Sequence, residues 1–461
     1  MRRALGRRRQ GGLHPLAAQC RPRLCRRGGV IMKGDEDNVL HLTPRADEPD
    51  ATARHVANPL NLRREMHRNA LTKGLVRYNE FSQEIELVRP IPRPNMEMPK
   101  TFVLRQWSDV DDTSLIEHFN HRGFRRVGRS LVRDVIELEA RSHPFHPVRE
   151  YLDGLIWDGR PRLSRFFLDY CGAAVDGETE ADRAAALRYV EAVTRCFFIS
   201  AVARVYKPGC KADAMIVLEG PQGALKSQLL RVLATRDEWF SDSLPHDLES
   251  KDARAHLAGR WIVEMSEVAQ FRRSEIETVK AFLSCQTDRY RPAYGRTDVA
   301  VPRQCVFAGS TNADTYLLDP TGNRRFWPLR VERIDLGAVA RIVDQLWAEA
   351  VAAWRAGEQW WLAQDIEAIA ADQQEDRVVT DPWHDQIADF VSTRRNGVWF
   401  TTAEVLSHVG IDGGRRDRAH EMRVGAVLRR LKCERKKRRG GPNKKPHWAY
   451  RLPPNNSEDS R

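Results

Sequence analysis

The chain of 461 residues is long enough for roughly two to four domains and for a sizeable buried core. Its formal net charge of +12 is unevenly spread: residues 1–31 hold nine Arg and no acid, residues 381–461 hold 18 basic against 10 acidic side chains, and 32–380 are left at about −5. This excludes a uniformly basic enzyme body and points to polyanion-binding appendages at the two ends.

Eight scattered Cys without CxxC spacing exclude a disulfide framework and fit a reducing, cytoplasmic setting. The longest apolar run, CFFISAVA at 196–203, is far below the roughly 20 residues that a membrane span requires, so no membrane partner is expected. In chain order, residues 1–31 read as a disordered Arg-rich extension, with Met32 the expected start of the folded protein. Residues 32–111 are polar, Pro-punctuated and without long periodic runs, an irregular N-terminal region. Helical apolar spacing over Asp112–Leu138 and Glu180–Tyr206 predicts a helical domain at 112–206.

From 207 to 334 short apolar runs alternate with helical segments. AMIVLEG (214–220), RWIVEMSEV (260–268) and QCVFAGSTN (304–312) read as strands, SQLLRVLA and SEIETVKAFLS as helices. That alternation predicts a mostly parallel α/β sheet with ligands beyond the carboxyl ends of its strands. A helical extension follows at 335–380, capped by Asp335 and stopped by Gly357. Residues 381–461 contain three helical patterns, the capping pair Thr401 and Glu404, and a strand pair around GGPN, which together predict a C-terminal winged helix.

The stretch EGPQGALKS nearly spells a phosphate-binding loop, with Leu225 where the second Gly belongs. Gly220, Pro221, Gln222, Gly223, Ala224, Leu225, Lys226 and Ser227 form the candidate nucleotide site. Amides from Gln222 to Ser227 would wrap the phosphates, Lys226 would reach the β and γ phosphates, and Ser227 would hold magnesium. Glu264 and Glu267 end the next strand; alternation sends them to opposite faces unless the strand stops near Met265, and Glu267 is the preferred catalytic acid and second magnesium ligand. Asn312 is placed to position water, and Arg324 and Arg325, in a turn before a strand, suit γ-phosphate charge. In TDRYRPAYGRTDVAVPR, Arg289, Arg291, Arg296 and Arg303 alternate with Tyr290 and Tyr294, a pattern for single-stranded nucleic acid, with Tyr294, Arg296 and Arg291 as its candidate contacts. Residues 411–445 hold 14 basic and four acidic side chains, and the run Arg435, Lys436, Lys437, Arg438 and Arg439 is the candidate duplex-DNA contact.

Taken in order, GPQGALKS, WIVEMSE, KAFLSCQTDRYRPAYGR, VFAGSTNAD and TGNRRFWPL resemble the virulence-associated E family of phage and prophage proteins, which is similar to superfamily 3 helicases and phage-type primase-helicases. The resemblance spans about 112–385. It implies an α/β, AAA-like P-loop NTPase core with ATP and Mg2+ as cofactors, assembled as a homo-hexamer or other ring on single- and double-stranded DNA. By position it gives Lys226 and Ser227 the phosphate and magnesium roles, Glu267 the acidic role, Asn312 the sensor role and Arg325 or Arg324 the finger. The function it implies is an ATP-dependent DNA helicase or translocase in the replication of a phage or mobile element. The alternative is a ring-forming initiator or loader that binds DNA without unwinding it. A primase has no room in residues 1–100, so a separate primase or replication protein is an expected partner.

Overall fold

The computed structural model describes residues 32–34, 40–42, 56–93, 98–99, 101–271, 273–291, 297–318, 322–379, 381–394, 398–439 and 446–453. The Arg-rich extension at 1–31 lies outside them. By compactness the chain divides into two units, Met1–Leu75 with Arg89–Phe102 and Ser108–Leu138, and Val76–Val88 with Val103–Trp107 and Glu139–Arg461.

In the first unit, a helix at Pro59–Arg68 starts where periodicity predicts no regular element. Local capping supplies the reason: the Asn58 side chain accepts from the Asn61 amide, and Pro59 opens the first turn. The helical run expected from Asp112 is interrupted. One helix covers Asp109–His121, and the next, Arg129–Arg141, begins after Gly123 and Arg126 adopt left-handed backbone. Leu62, Met66, Leu115, Phe119 and Val132 are buried in this unit, and Arg133 pairs with the buried Asp112 at 2.7 Å.

The central part of the second unit holds seven strands, β1 (Met215–Glu219), β2 (Phe240–Ser241), β3 (Ile262–Met265), β4 (Thr287–Tyr290), β5 (Val299–Pro302), β6 (Val306–Thr311) and β7 (Phe326–Arg330). Five of them form one parallel sheet in the order β7-β1-β6-β3-β2, while β4 and β5 pair antiparallel as a separate hairpin. The helices around the sheet are α1 (Glu180–Tyr206), α2 (Lys226–Leu233), α3 (Arg273–Ser284), α4 (Leu336–Arg355) and α5 (Gln364–Asp376).

Strand alternation divides the core in two. Ile216, Leu218, Ala308, Trp327 and Leu329 pack with residues of α1, α2 and α4, while Met215, Val217, Phe307 and Phe326 pack with Ile276, Val279, Phe282 and Leu283 of α3. Both faces are covered, so the strands read as continuous apolar runs. Helix α1 is buried almost all round from Val193 to Val205, which its long apolar run requires. Trp347 of α4 lies 4.2 Å centroid to centroid from Trp261 and 4.9 Å from Phe198, and its indole N–H donates to the Leu233 carbonyl at 2.9 Å.

Residues Phe400–Thr401, Glu434–Arg439 and Pro446–Arg451 form strands β8, β9 and β10 of an antiparallel sheet ordered β8-β10-β9. Three helices accompany it, α6 (His384–Ser392), α7 (Thr402–His408) and α8 (Arg418–Arg430), around a core that includes Ile387, Phe390, Phe400, Leu406, Val424, Leu428 and Tyr450. The Thr401 hydroxyl accepts from the Glu404 amide, and the Glu404 carboxylate accepts from the Thr401 amide. A small sheet of Arg105–Gln106, Glu84–Leu87, Val76–Asn79 and Pro144–Phe145, in that order, completes the unit. Among the described residues no helix is long and apolar enough to cross a membrane.

Trp347 joins α4 to Trp261, just before β3, by ring contact and to the end of α2 by a hydrogen bond. Trp347→Ala is expected to lower unfolding free energy by about 3 to 5 kcal/mol, and Trp347→Phe by clearly less, as read by denaturant titration.

Candidate functional site

The site lies at the carboxyl ends of β1, β3 and β6, where parallel α/β sheets bind ligands. After Glu219 the chain turns through Gly220 and Gly223, with φ of 157° and 85°. A Cβ on Gly220 would run into the Val331 carbonyl oxygen, so this position admits only glycine. The Ala224 amide donates to the Pro221 carbonyl, closing the turn. Leu225 then caps α2 with φ 63° and ψ 24°, a left-handed conformation that favours glycine. Its side chain points outward, 40% exposed, so the cost is backbone strain and not a clash. Pro221, Gln222 and Gly223 are exposed, Ala224 half-buried. The opening amides of α2 have no intrahelical acceptor and carry the positive end of the helix dipole toward the loop.

Lys226 is buried, and its ammonium donates to the carbonyls of Gly220 (2.7 Å) and Pro221 (3.0 Å) and to Asn312 Oδ1 (2.9 Å). Burial pulls its pKa below the ordinary lysine range, against the attraction of Glu267 and Glu264. Ser227 Oγ donates to Glu264 Oε1 at 2.8 Å, and Ser310 Oγ donates to the same oxygen at 2.6 Å. Burial raises the Glu264 pKa, while the two hydroxyls oppose the rise. Glu264 is 1% exposed and its Oε2 has no hydrogen-bond partner among the described residues. A buried, unpartnered carboxylate oxygen beside a serine hydroxyl is the hard-oxygen donor set that magnesium takes.

Strand β3 stops at Met265, and Glu267 has a left-handed φ of 55° and an exposed side chain. Glu264 and Glu267 both line a cavity of about 640 Å³, with Asp242, Asp247, Glu249 and Glu275. One carboxylate is thus inside, bonded to the loop, and the other stands at the rim.

Arg324 and Arg325 lie elsewhere. They form the turn Asn323–Arg325 that enters β7, and β7 runs parallel to β1 with Phe326 opposite Met215 and Arg330 opposite Glu219. The length of β1, roughly 16 Å at about 3.3 Å per residue, therefore separates them from the 220–227 loop of the same chain. Arg325 Nε donates to Ser284 Oγ at 2.9 Å and lies 3.9 Å from Asp213, while Arg324 is exposed. Both line a cavity of about 550 Å³ with Lys211, Asp213, Trp360 and Trp361.

The hairpin of β4 and β5 is anchored by Arg303, buried and bidentate on Asp288 at 2.6 and 2.8 Å. Arg303 is a structural anchor, not a surface contact: its guanidinium also donates to the Phe282 carbonyl. Arg289 and Arg291 are exposed, Tyr290 is half-buried, and Tyr294 and Arg296 lie outside the described residues. In the C-terminal sheet Arg435, Lys436, Lys437 and Arg438 are all exposed. Strand alternation sends Arg435 and Lys437 to one face and Lys436 and Arg438 to the other. Arg435 lies over Trp448 (3.6 Å) and Arg438 over Trp399 (5.4 Å); of Arg439 only the strand backbone is described.

The family model of the virulence-associated protein E-like domain matches residues 152–379, which hold the central sheet and every residue of the nucleotide candidate. The chain carries a virulence-associated protein E-like domain. This span is narrower than the 112–385 that the motifs imply. No curated relative matches the chain. Two apo structures of the NrS-1 C-terminal region align with 86% of this chain and 99% of theirs, at 12% and 13% identity and a TM-score of 0.42 each. A likeness that loose transfers no residue role.

Sequence reasoning reaches Lys226, Ser227, Glu264 and Asn312 but misses what supports them inside the virulence-associated protein E-like domain. Ser310 is visible only as part of a polar strand end. Glu219, Tyr316 and Arg377 form a buried cluster whose partners lie 97 and 158 residues from Glu219, so no local pattern marks it.

The left-handed Leu225 gives a direct test of the loop geometry. Leu225→Gly removes the strain at some cost in chain entropy, for an expected net gain of about 0.5 to 1 kcal/mol in the nucleotide-free protein. Thermal unfolding of the two proteins side by side measures it.

Proposed function

We propose that the chain is an ATP-dependent DNA helicase or translocase acting in replication of a phage or other mobile element. One observation carries the reading: the two adjacent residues that open α2 are each hydrogen-bonded to the end of a different strand, Lys226 to Asn312 beyond β6 and Ser227 to Glu264 of β3. In a phosphate-binding loop Lys226 would exchange its carbonyl partners for β and γ phosphate oxygens. Ser227 and Glu264 would hold Mg2+, whose chemistry here is charge neutralisation across the phosphates. Glu267, at the rim of the acidic cavity, is the group left to orient or deprotonate water, and Asn312 would release Lys226 and face the γ phosphate.

The separation of Arg325 from its own loop supports a site shared between subunits. The cavity around Arg324, Arg325 and Lys211 sets these three cations and two Trp beside Asp213 and Glu367, whereas the one beside the loop is lined by acids. Opposite ends of one sheet with complementary charge favour a head-to-tail contact, the type that closes into rings. The C-terminal sheet and helices fit a winged helix whose basic strand β9 would meet duplex phosphates, and the hairpin of β4 and β5 would contact a single strand through Arg291, Tyr294 and Arg296. ATP hydrolysis measured with and without single-stranded DNA tests the reading. Absence of ATP hydrolysis under both conditions overturns it, and hydrolysis without strand displacement leaves the initiator or loader.

Arg325→Ala keeps an intact loop and Lys226→Ala keeps an intact arginine, so each alone is expected to be inactive. Charge stabilisation by such an arginine is worth about 10³ to 10⁵ in rate. Mixing the two proteins restores part of the hydrolysis if the site is shared; a dead mixture of proteins that demonstrably co-assemble rules sharing out. Separately, replacing Arg435, Lys436, Lys437, Arg438 and Arg439 by Ala in the full chain is expected to flatten the salt dependence of duplex binding. An unchanged slope removes β9 from the DNA contact.

A further inference from the structure

The root of the 220–227 loop is held by an ion pair, its carboxylate buried and its guanidinium mostly so, that the proposed chemistry does not use. Glu219 ends β1, immediately before the Gly220 whose carbonyl accepts from Lys226. Its carboxylate takes a two-pronged grip from Arg377: Nε donates to Oε1 at 2.9 Å and Nη2 to Oε2 at 3.0 Å. The Tyr316 hydroxyl adds a third donor to Oε1 at 2.8 Å. The remaining Arg377 nitrogen, Nη1, donates to the Gln373 carbonyl and side chain at 3.1 and 2.9 Å, which fixes the guanidinium plane. The backbone of Glu219 is pinned as well, its carbonyl accepting from the Val331 amide at 2.8 Å.

The same arginine reaches the other side of the site through its main chain. Its carbonyl accepts from the Tyr316 and Leu317 amides at 2.9 Å each, Leu317 and Val378 form a parallel bridge, and the Val379 amide returns to the Leu317 carbonyl at 2.9 Å. Tyr316 and Leu317 follow closely on Asn312, which accepts from Lys226. One residue therefore fastens both neighbours of Lys226: the loop root by its side chain, and the segment beyond the Asn312 strand by its backbone.

A buried ion pair is a poor device for stability alone, since apolar residues of similar volume often do as well or better. What the fork adds is geometry, because two parallel bonds fix a carboxylate in direction as well as place. We infer that Arg377 is a positioning residue for the nucleotide loop: through Glu219 it sets the direction in which the chain enters Gly220, and so where Lys226 and the loop amides stand. The inference rests on the nucleotide reading of the loop given above.

The test separates positioning from charge balance. Arg377→Met leaves Glu219 buried without its counter-charge and is expected to unfold at lower temperature. The double variant Glu219→Gln with Arg377→Met removes both charges and should regain most of that stability. Arg377→Lys keeps the charge but loses the fork. Positioning predicts that the double variant, although stable, binds a fluorescent ATP analogue with Mg2+ at least tenfold more weakly than the parent. It also predicts that the lysine variant falls between them, and that hydrogen exchange across 218–230 in the nucleotide-free protein is faster in all three variants. If the double variant or the lysine variant keeps both parental affinity and parental exchange, Arg377 only balances a buried charge and the inference is wrong. If the parent protein binds no ATP, the nucleotide reading fails, and the exchange arm still decides whether Arg377 holds the loop.

Discussion

The structure turns on a carboxylate that has to be buried. Glu264, 1% exposed, is stable there only because Ser227 and Ser310 both donate to it. Those two hydroxyls belong to α2 and β6, so one side chain ties three elements in register: β3 must end level with β6, and α2 must begin where β1 stops. The sheet supplies this with β6 in the middle, paired to β1 on one side and to β3 on the other. A shift of one residue in β3 would turn Glu264 to the opposite face and into the apolar layer under α3. The unpartnered Oε2 is the remaining polar demand, and the arrangement is complete when a cation or a donor meets it.

The same sheet imposes a division of labour. Parallel strands put every loop that follows a strand at one edge and every entry turn at the other. Lys226, Glu264, Glu267 and Asn312 occupy the first edge; Arg324 and Arg325, entering β7, occupy the second. No side-chain rotation bridges the length of a strand, so a chain that needs these arginines at a phosphate has to receive them from a neighbour. The two cavities inherit their positions at opposite ends of the sheet from that constraint.

What the sequence made legible was whatever is local. The turn glycines, Lys226 and Ser227 carry a spacing; the Asp335 cap is realised as a side chain accepting from the Ala338 amide, and Gly357 is left-handed as its place past α4 requires. Of Glu264 and Glu267 the sequence favours Glu267 for both the acidic and the magnesium role, but which of the two reaches Ser227 depends on where β3 ends, and strand ends are set by pairing with β6; the bond goes to Glu264. Leu225 looked like a defect in a motif; it takes the glycine conformation anyway, held by the loop on one side and α2 on the other. Arg303 reads as one of four arginines in a nucleic-acid pattern, yet it is buried on Asp288, a partner the pattern does not mark. The Glu219, Tyr316 and Arg377 cluster had no local signature because each member is an ordinary residue in an ordinary element, and only the tertiary fold brings them together.

The basic C-terminal segment shows why charge counts overstate what a surface offers. Of the arginines on α8, Arg423 donates from Nε to both carboxylate oxygens of Asp381 and lies over Trp383 at 3.8 Å, and Arg430 pairs with Glu375 at 2.9 Å. These two hold the helix to the segment that leads back to Arg377; Arg418 and Arg429 remain exposed on α8, with Lys432 just beyond it. The anchoring pairs are themselves partly exposed, so salt that screens a phosphate contact also weakens the attachment of the helix to the rest of the unit. Arg430 is thus committed to Glu375 within the chain, and its charge does not count in full toward a basic surface.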